Sequence, residues 1–361
     1  MCRTICASAC IKLCRGGRRG PVVTSNIYSV AQRAGVSAST VSRALRGDSR
    51  IRQSTRERVE EAAAALRYVP QAAAQRLAGR PVHALGVVLP HIEGTYYAEL
   101  AVGFETRASE LDMSVLLQLA NPKSDQPAAL RRLVGQVDAV AFMGMSAATD
   151  ELISDVSERM PTVTVARSQL QGVPAIFAES ITSADELTSH LIALGRRAPA
   201  FVGQVDSGSD IEARYNGFSA ALERAGIEVP PNVAVPMDED TGRRLARDMV
   251  ADGVVYDALV CGNDEIAVAL VHELQELGID VPSRISVVGW DDIRVSRYLR
   301  PGLTTVSQPV AQLGALAAQH LHRLLAGETV DDRTVLSTTI VHRQSCGCTT
   351  MNQTTTQGGE S

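Results

Sequence analysis

Three stretches near the N-terminus repeat apolar residues at the spacing of an amphipathic helix. These residues are Ile27, Val30, Ala31 and Ala34 in the first stretch, Val41 and Leu45 in the second, and Val59, Ala63 and Leu66 in the third. The pattern predicts three short helices that share one small apolar core.

Polar residues that favour helix ends separate these stretches. Asn26 can cap the first helix, because its side-chain oxygen accepts a backbone N–H that has no partner within the helix. Gly35 suits the left-handed residue that ends a helix, and Ser37 can cap the second helix. Ser54 followed by Glu57 has the spacing of a capping box, which predicts that the third helix begins there.

Beyond His83 the pattern changes to continuous apolar runs that alternate with amphipathic stretches. The run from Ala84 to Leu89 predicts a strand buried on both faces, and a helix is expected from Tyr96 to Leu111. Further strands are predicted near 113–118, 138–143, 161–165, 198–203, 257–261 and 285–289. Repeated strand–helix units indicate parallel sheets covered by helices, so a small all-α head should precede an α/β body.

Charge is divided unequally between these two parts. The 361 residues carry a formal net charge of −5, but residues 21–80 contain ten arginines and four acids, about +6. The chain after residue 80 holds 20 basic and 36 acidic residues, about −16. A basic head on an acidic body indicates that a polyanion binds at one end.

The exposed face of the second predicted helix carries small, hydrogen-bonding or cationic residues, which suit the DNA major groove. They are Ala38, Ser39, Ser42, Arg43 and Arg46. Two short helices joined by Gly-Val-Ser also occur inside larger helical domains, so the spacing alone leaves that alternative open. The third helix and the basic charge favour a helix-turn-helix.

Residues 26–80 resemble the DNA-binding head of the lactose-repressor (LacI/GalR) family of bacterial regulators, and the resemblance continues to about Cys346. The motifs that carry it are Ser29-Val30-Ala31, Ala34-Gly35-Val36-Ser37, Thr40-Val41-Ser42-Arg43, Tyr68-Val69-Pro70 and Ala74-Gln75-Arg76-Leu77-Ala78. The resemblance implies a transcriptional regulator, most simply a repressor, whose head reads a pseudo-palindromic operator as a homodimer.

In that family the second helix reads bases, which implies roles for Ala38, Ser39 and Arg43. Arg43 can make a bidentate pair with guanine, worth about 1–3 kcal/mol of discrimination. Tyr28 is expected at a phosphate. The residues expected at DNA are Tyr28, Ser37, Ala38, Ser39, Thr40, Ser42, Arg43, Leu77 and Ala78.

The segment Pro70–Gly79 resembles the family's hinge helix, which pairs with its mate on DNA and inserts a leucine into the minor groove. Leu77 is the matching leucine, and Ala78 is its neighbour. Gln71 replaces the family's usual asparagine, which leaves the cap of this helix open. The alternative is a plain linker with Leu77 packed on the body.

For the body, the resemblance implies a periplasmic-binding-protein-like fold of two parallel-sheet subdomains. Chain crossings are expected near 176–180, 307–309 and 333–337, with a small-molecule effector, a sugar or sugar-derived metabolite, in the cleft at the strand ends. The expected effector-binding residues are Tyr96, Tyr97, Arg167, Arg214, Asn263, Trp290 and Asp291. Trp290 as plain core and Arg214 as a structural ion pair are the alternatives, whereas Asp264 and Asp292 are expected to cap helices or turns.

Arg167 follows a predicted strand where the family usually has an acid. Two arginines in one cleft, Arg167 and Arg214, predict an effector that carries a carboxylate or phosphate. Equal affinity for a sugar acid and its neutral parent would contradict this hypothesis.

The predicted organisation places an extension or mis-assigned start in 1–24, where Cys2, Cys6, Cys10 and Cys14 match neither a zinc motif nor a signal peptide. The remaining predicted segments are a head at 25–69, a hinge helix at 70–80, a body at 81–348 and a disordered tail at 349–361. Within the body, one subdomain takes about 82–178 and 309–334, and the other about 179–308 and 335–348.

No catalytic motif, metal-ligand spacing or cofactor fingerprint is found, so neither an enzyme nor a metal or other cofactor is expected. No apolar run is long enough to predict a membrane span. Cys261, Cys346 and Cys348 indicate no disulfide framework, and a cytoplasmic location is expected. A solute-binding receptor for a transporter remains the alternative, although the basic head argues against it.

Overall fold

A computed structural model of the protein describes residues 26–45, 47–68, 82–120, 125–205, 209–253 and 255–348. The chain divides into two compact units, residues 1–80 and 81–361, which we call the head and the body. The predicted extension, hinge helix and tail lie outside the described residues. No helix in the described part of the chain has the length and apolar character needed to cross a bilayer.

Three helices form the described part of the head: α1 (Ile27–Ala34), α2 (Ala38–Ala44) and α3 (Gln53–Ala65). Val30, Val41 and Val59 are fully buried between them. Partly buried Leu45 and Leu66 pack against this cluster, as the apolar spacing predicts.

The predicted caps of the first two helices are confirmed. The Asn26 side chain accepts the Ser29 N–H at 2.9 Å, and the Ser37 hydroxyl accepts the Thr40 N–H at 3.1 Å. Gly35 adopts φ +65°, a left-handed conformation that a residue without a Cβ reaches at little cost.

The capping box expected at Ser54 is wrong. The cap residue lies two residues earlier, at Arg52, whose side chain makes no capping bond, and helix α3 begins at Gln53. Ser54 therefore already lies inside the helix, and Glu57 accepts a hydrogen bond from the Gln53 side chain at 3.0 Å.

The body contains eleven strands among its described residues. They are β1 (Ala84–Leu89), β2 (Ser114–Leu119), β3 (Ala139–Met143), β4 (Thr162–Val165), β5 (Ala175–Ala178), β6 (Pro199–Val202), β7 (Ala258–Cys261), β8 (Ser286–Asp291), β9 (Thr304–Ser307), β10 (Arg333–Leu336) and β11 (Thr339–Val341). The helices are α4 (Tyr96–Glu110), α5 (Gln126–Val134), α6 (Asp150–Ser157), α7 (Ile181–Ala193), α8 (Asp210–Arg224), α9 (Glu239–Ala251), α10 (Asp264–Glu276) and α11 (Val310–Leu325).

These strands form two sheets, and the predicted fold class is confirmed. The first sheet has the order β10-β5-β4-β3-β1-β2, with every neighbouring pair parallel. The second has the order β11-β9-β8-β7-β6, in which only the β9–β11 pair is antiparallel. Continuous apolar runs such as β1 are buried along their whole length, because helices cover both faces.

The chain passes between the two sheets three times. The passages follow β5, β9 and β10, close to the expected crossings. After the second passage, α11 packs on α4 and buries Leu313 and Leu321 against the first sheet. We call the two halves of the body the first lobe (β1–β5, β10, α4–α6 and α11) and the second lobe (β6–β9, β11 and α7–α10).

Candidate functional site

The head presents α2 with a graded exposure of the residues predicted at DNA. Ser39 and Arg43 are exposed, whereas Ala38, Thr40 and Ser42 are half-buried. Tyr28 at the start of α1 is 72% exposed, unusual for a large aromatic side chain without a partner surface. Ser37 is exposed, and its hydroxyl lies 2.8 Å from the hydroxyls of Ser39 and Thr40.

Two arginines of the head have structural roles. Arg58 donates to the Ala34 carbonyl at 2.8 Å and so ties α3 to the end of α1. Arg56 donates to the Asp48 carbonyl at 3.0 Å and holds the turn after α2. The first contact therefore holds α1 and α3 together, and the second positions the C-terminal end of α2.

The residues predicted to enter the minor groove, Leu77 and Ala78, lie outside the described residues. The Arg46 side chain on the predicted reading helix does too. Their roles stay predictions.

A cavity of about 360 Å³ lies between the two lobes of the body. This volume is in the range of small-molecule pockets, about 300–1,000 Å³. Its walls come from the segments that follow β1, β3 and β4 in the first lobe and β6, β7 and β8 in the second. These are the carboxyl ends of parallel strands, where ligands bind in open α/β sheets.

The cavity lining combines hydrogen-bonding groups with apolar side chains. It contains the acids Glu93, Asp150, Asp210, Glu265 and Asp291, the bases His91, Arg167 and Arg214, the aromatics Tyr96 and Tyr97, the amide Asn263, and the apolar Met145, Ile211, Met237 and Ile293. Of the seven predicted effector-binding residues, the fold brings six to this one cavity, all except Trp290.

Arg214 lies at the centre of the charge arrangement. Its guanidinium donates to the Gly262 carbonyl at 2.5 Å and lies 3.9 Å from the Asp210 carboxylate, one helical turn earlier. Both side chains are at least nine-tenths buried. Within the described part of the chain, the Arg214 Nε and one Asp210 carboxylate oxygen have no hydrogen-bond partner. Buried polar atoms of this kind are normally satisfied, so they indicate positions where a ligand would donate or accept.

Trp290 lies in the hydrophobic core of the second lobe, with 1% of its surface exposed. Its ring is 4.5 Å from the Arg214 guanidinium, a cation–π arrangement. The tryptophan therefore supports Arg214 from behind and is not part of the cavity wall, so it does not take the effector-binding position predicted for it. Tyr96 and Tyr97 take that wall position, with their rings packed edge to face at 5.1 Å.

Asp291 ends β8 with a left-handed backbone, φ 113°, which is strained for a residue with a side chain. Burial raises the pKa of its carboxyl group to about 8, although Arg214 acts in the opposite direction. The Gln308 amide donates to this carboxylate. Asp291 is therefore an acid that a ligand hydroxyl can engage and that titrates near neutral pH.

Two further predicted residues are partly occupied by protein contacts. Asn263 caps α10 by accepting the Ile266 N–H at 3.1 Å and donates to the Met237 carbonyl at 3.0 Å. Arg167 forms an ion pair with Asp150 at 2.8 Å and donates to the Ala148 carbonyl at 2.7 Å. Both side chains are thereby held at the cavity wall in one orientation.

The sequence did not predict Asp210 as a cavity residue, and it predicted only a capping role for Asp264. Asp210 lies four residues before Arg214 in a helix that follows a strand end, and that spacing was the available signal. Asp264 is fully buried and accepts from the Ser296 and Thr305 hydroxyls at 2.6 and 2.7 Å. It fixes the segment after Asp291, and burial raises its pKa to about 7.

Comparison with known proteins decides what these two sites belong to. Residues 26–71 match the model of bacterial regulatory proteins of the lacI family, and residues 188–346 match a periplasmic binding protein-like domain. Catabolite control protein A of Priestia megaterium is 32% identical over 327 residues, which cover 88% of this chain and 98% of that protein. The chain belongs to the LacI family.

Other LacI-family proteins agree along nearly the whole chain. HTH-type transcriptional regulator RegA of Clostridium saccharobutylicum is 28% identical over 90% of this chain and 99% of its own length. The lac repressor dimer bound to operator and the anti-inducer ONPF superimposes with a TM-score of 0.76 at 26% identity, covering 89% of this chain and 99% of that one. A complex of transcriptional regulator CelR with cellobiose gives 0.66 at 26% identity and the same coverage. The protein is therefore a DNA-binding transcriptional regulator of this family, as the sequence motifs predicted.

Proposed function

We propose that the protein is a repressor that binds a pseudo-palindromic operator as a homodimer and responds to a neutral polyhydroxyl effector in the cavity of the body. The observation that carries this proposal is the cavity itself. It combines the buried Asp210, four further acids, the buried Arg214 and two tyrosines at the carboxyl ends of strands from both lobes. An effector there would contact both lobes at once, so its binding free energy can favour one arrangement of the lobes over another.

For DNA, we propose that α2 enters the major groove and that Arg43 reads guanine. Tyr28, Ser37 and Thr40 would contact the backbone, while Ala38, Ser39 and Ser42 would lie along base edges. We further propose that Leu77 and Ala78 insert into the minor groove. Two heads related by a two-fold axis require two half-sites, and the operator-bound lac repressor dimer supports this arrangement.

The charge balance of the cavity favours a neutral effector over the anionic effector that the two arginines predicted from the sequence. Arg167 is paired with Asp150 and Arg214 lies beside Asp210, so each arginine already has an acid. Burial raises the pKa of Asp210, Asp291 and Glu265. Even if Asp210 and Asp291 are protonated, the three other lining acids balance the charge of the two arginines, so the cavity has no net positive charge from these groups. A carboxylate or phosphate ligand would find no surplus cation, whereas sugar hydroxyls can pair with both charge types.

The family comparison supports the same class, because a relative of this fold was solved with cellobiose. Tyrosine faces supply the apolar wall on which a sugar ring packs. A regulator of transcription acts on chromosomal DNA, so we expect the protein in the cytoplasm.

The experiment has two arms that use the purified full chain. Selection from randomised duplexes at physiological ionic strength should enrich an inverted repeat. A thermal-shift screen of mono- and disaccharides, with the matching sugar acids and sugar phosphates, should find neutral binders. At 100 times its dissociation constant, a binder adds about 2.7 kcal/mol to the free energy of unfolding.

Adding a neutral binder should then change operator affinity by about 5- to 150-fold, and loss of affinity would establish an inducer. No preference for any inverted repeat would overturn the DNA proposal. Stabilisation by sugar phosphates alone would overturn the neutral effector class and leave the DNA proposal standing.

A further inference from the structure

Two cysteines and two histidines meet at the far side of the second lobe, away from the cavity lining. His190 lies in the last turns of α7, His342 directly follows β11, and Cys346 and Cys348 lie at the C-terminal end of the described chain. One ligand atom from each of the four lies within 4.8 Å of all the others. Sequence spacing gave no hint of this cluster, because His190 is about 150 residues from the other three.

The individual contacts are short. The Cys346 and Cys348 sulfur atoms are 2.9 Å apart, and the His190 Nε2 is 3.1 Å from the Cys348 sulfur. The two imidazole rings lie with centroids 4.4 Å apart. In a tetrahedral zinc site, Zn–S bonds of about 2.3 Å and Zn–N bonds of about 2.0–2.1 Å place the ligand atoms roughly 3.3–3.8 Å from one another. The cluster therefore needs only rotamer-scale adjustments to reach that geometry.

The backbone around the two cysteines is already held in place. The Ser345 hydroxyl accepts the Thr304 N–H at 2.8 Å, and the Ser286 hydroxyl donates to the Cys346 carbonyl at 2.9 Å. Gly347 has φ +102°, a conformation that residues with a side chain rarely adopt. The turn at Gly347 brings Cys346 and Cys348 towards the same point. A ligand set on a fixed backbone has less conformational entropy to lose on binding metal.

We propose that His190, His342, Cys346 and Cys348 bind one Zn²⁺ ion in a tetrahedral Cys₂His₂ site. Two thiolates and two imidazoles are the ligand set that favours zinc over the hard cations Mg²⁺ and Ca²⁺. Four protein ligands leave no open position, so the site is structural. Cys346 is buried and His342 is exposed, which gives the ion an inner anchor and a route from solvent.

Bound zinc would join three separate segments of the second lobe. The ligands His342 and Cys346 flank Arg343, which forms an ion pair with Asp292 at 2.6 Å, next to the cavity residue Asp291. The ion would therefore fix the C-terminal segment that supports one wall of the cavity.

Metal content is the first test. Any metal bound by the four N-terminal cysteines must be excluded from this measurement. The full chain is purified with Cys2, Cys6, Cys10 and Cys14 all changed to serine, with and without a Cys346→Ser/Cys348→Ser pair. The first protein should retain one zinc per chain after dialysis, and the second should retain none. Cys261→Ser in the first background is the matched control, because Cys261 is a buried cysteine outside the cluster.

Cobalt substitution is the second test. Co²⁺ in the proposed site should give tetrahedral d–d bands together with a thiolate-to-cobalt charge-transfer band, and both should vanish in the cysteine pair variant. If that variant fails to fold, His342→Gln at the exposed ligand is used instead, and it should weaken zinc binding by more than about 10-fold. Loss of a metal ligand should weaken binding more than loss of a group that only hydrogen-bonds to a ligand. His322→Gln is the control and should leave binding unchanged.

A chelator provides an independent readout. It should lower the Tm of the protein with intact ligands by several degrees and leave the Cys346→Ser/Cys348→Ser protein unaffected. The proposal is overturned if zinc content does not depend on these cysteines, if cobalt shows no thiolate band, or if protein alkylated during anaerobic lysis carries a Cys346–Cys348 disulfide.

Discussion

The head and the body place their functional residues in opposite environments. In the head, Ser39 and Arg43 project from a single helix into solvent, and Val41, Ala44 and Leu45 hold that helix in a small hydrophobic core. In the body, Asp210 and Arg214 are buried on one helix between two lobes, and half-buried Asp291 comes from the end of another strand. Substitutions in the head should therefore change recognition with little effect on folding, whereas substitutions in the cavity should change both.

The largest expected effect tests the body. Arg214→Ala removes the only guanidinium within 4 Å of Asp210 among the described ion pairs, and it leaves a buried acid uncompensated. The free energy of unfolding should fall by about 3–5 kcal/mol. Urea denaturation of the full chain measures it.

Arg224→Ala is the matched control on the same helix. Arg224 is 59% exposed and pairs with Asp185 in a solvent-screened ion pair, so its loss should lower the free energy of unfolding far less than the loss of Arg214. Equal losses for the two variants would contradict the buried-pair interpretation of Arg214.

The second prediction uses the titration of Asp291. Its folded pKa of about 8 exceeds the ordinary aspartate value of 3.8, so the folded protein holds this proton more tightly than the unfolded chain. The resulting stability is fully present below about pH 4 and is lost as the pH rises through 8. Asparagine at position 291 cannot ionise, so the free energy of unfolding of Asp291→Asn should depend less on pH in this range. The stability of the variant should therefore rise relative to that of the wild type between pH 4 and 8.

Thermal unfolding across that pH range measures the difference, and each unit of raised pKa corresponds to about 1.4 kcal/mol. Asp185→Asn is a suitable control, because Arg224 lowers the pKa of Asp185 instead. Parallel profiles for wild type and Asp291→Asn would show that Asp291 is ionised throughout.

The third prediction tests the head. Arg43→Ala should reduce the preference for operator over random duplex by a factor that corresponds to about 1–3 kcal/mol, with no change in Tm. Arg33→Ala on α1 is the control, and any loss of affinity there should be the same for both duplexes. Fluorescence anisotropy at two salt concentrations separates these outcomes.

The smallest expected effect concerns the cap that positions α2. Ser37→Ala removes the acceptor for the Thr40 N–H and should cost about 1 kcal/mol, whereas Ser37→Gly should cost only a few tenths. If the alanine variant were as stable as wild type, the capping bond would contribute nothing to the head.

Most of the structure of the head could be predicted from its sequence, whereas only the outline of the body could. Val30 and Val41 were predicted in the core because a helix repeats every 3.6 residues, and the caps at Asn26 and Ser37 depend on contacts three residues apart. The exception was the start of α3, where a shift of two residues in the cap position changes which side chain reaches Glu57. In the body, strand positions followed from apolar runs, and the crossings followed from the family resemblance.

Placement within the cavity followed the sequence only in part. Six predicted residues reached the cavity because strand ends in parallel sheets point to one edge. Trp290 did not, since alternation along β8 decides whether a side chain faces the cavity or the core, and a one-residue shift reverses it. The anionic effector hypothesis counted two arginines without the acids that the fold sets beside them.

The sequence by itself determined most of the elements and the family, because these depend on local spacing and on motifs within a few tens of residues. Only the tertiary structure decided which charges neutralise one another, which acids are buried enough to titrate near neutral pH, and that His190 meets Cys348 across the chain. Such properties depend on distances of a few ångströms between residues far apart in sequence, where burial removes the water that would otherwise screen them.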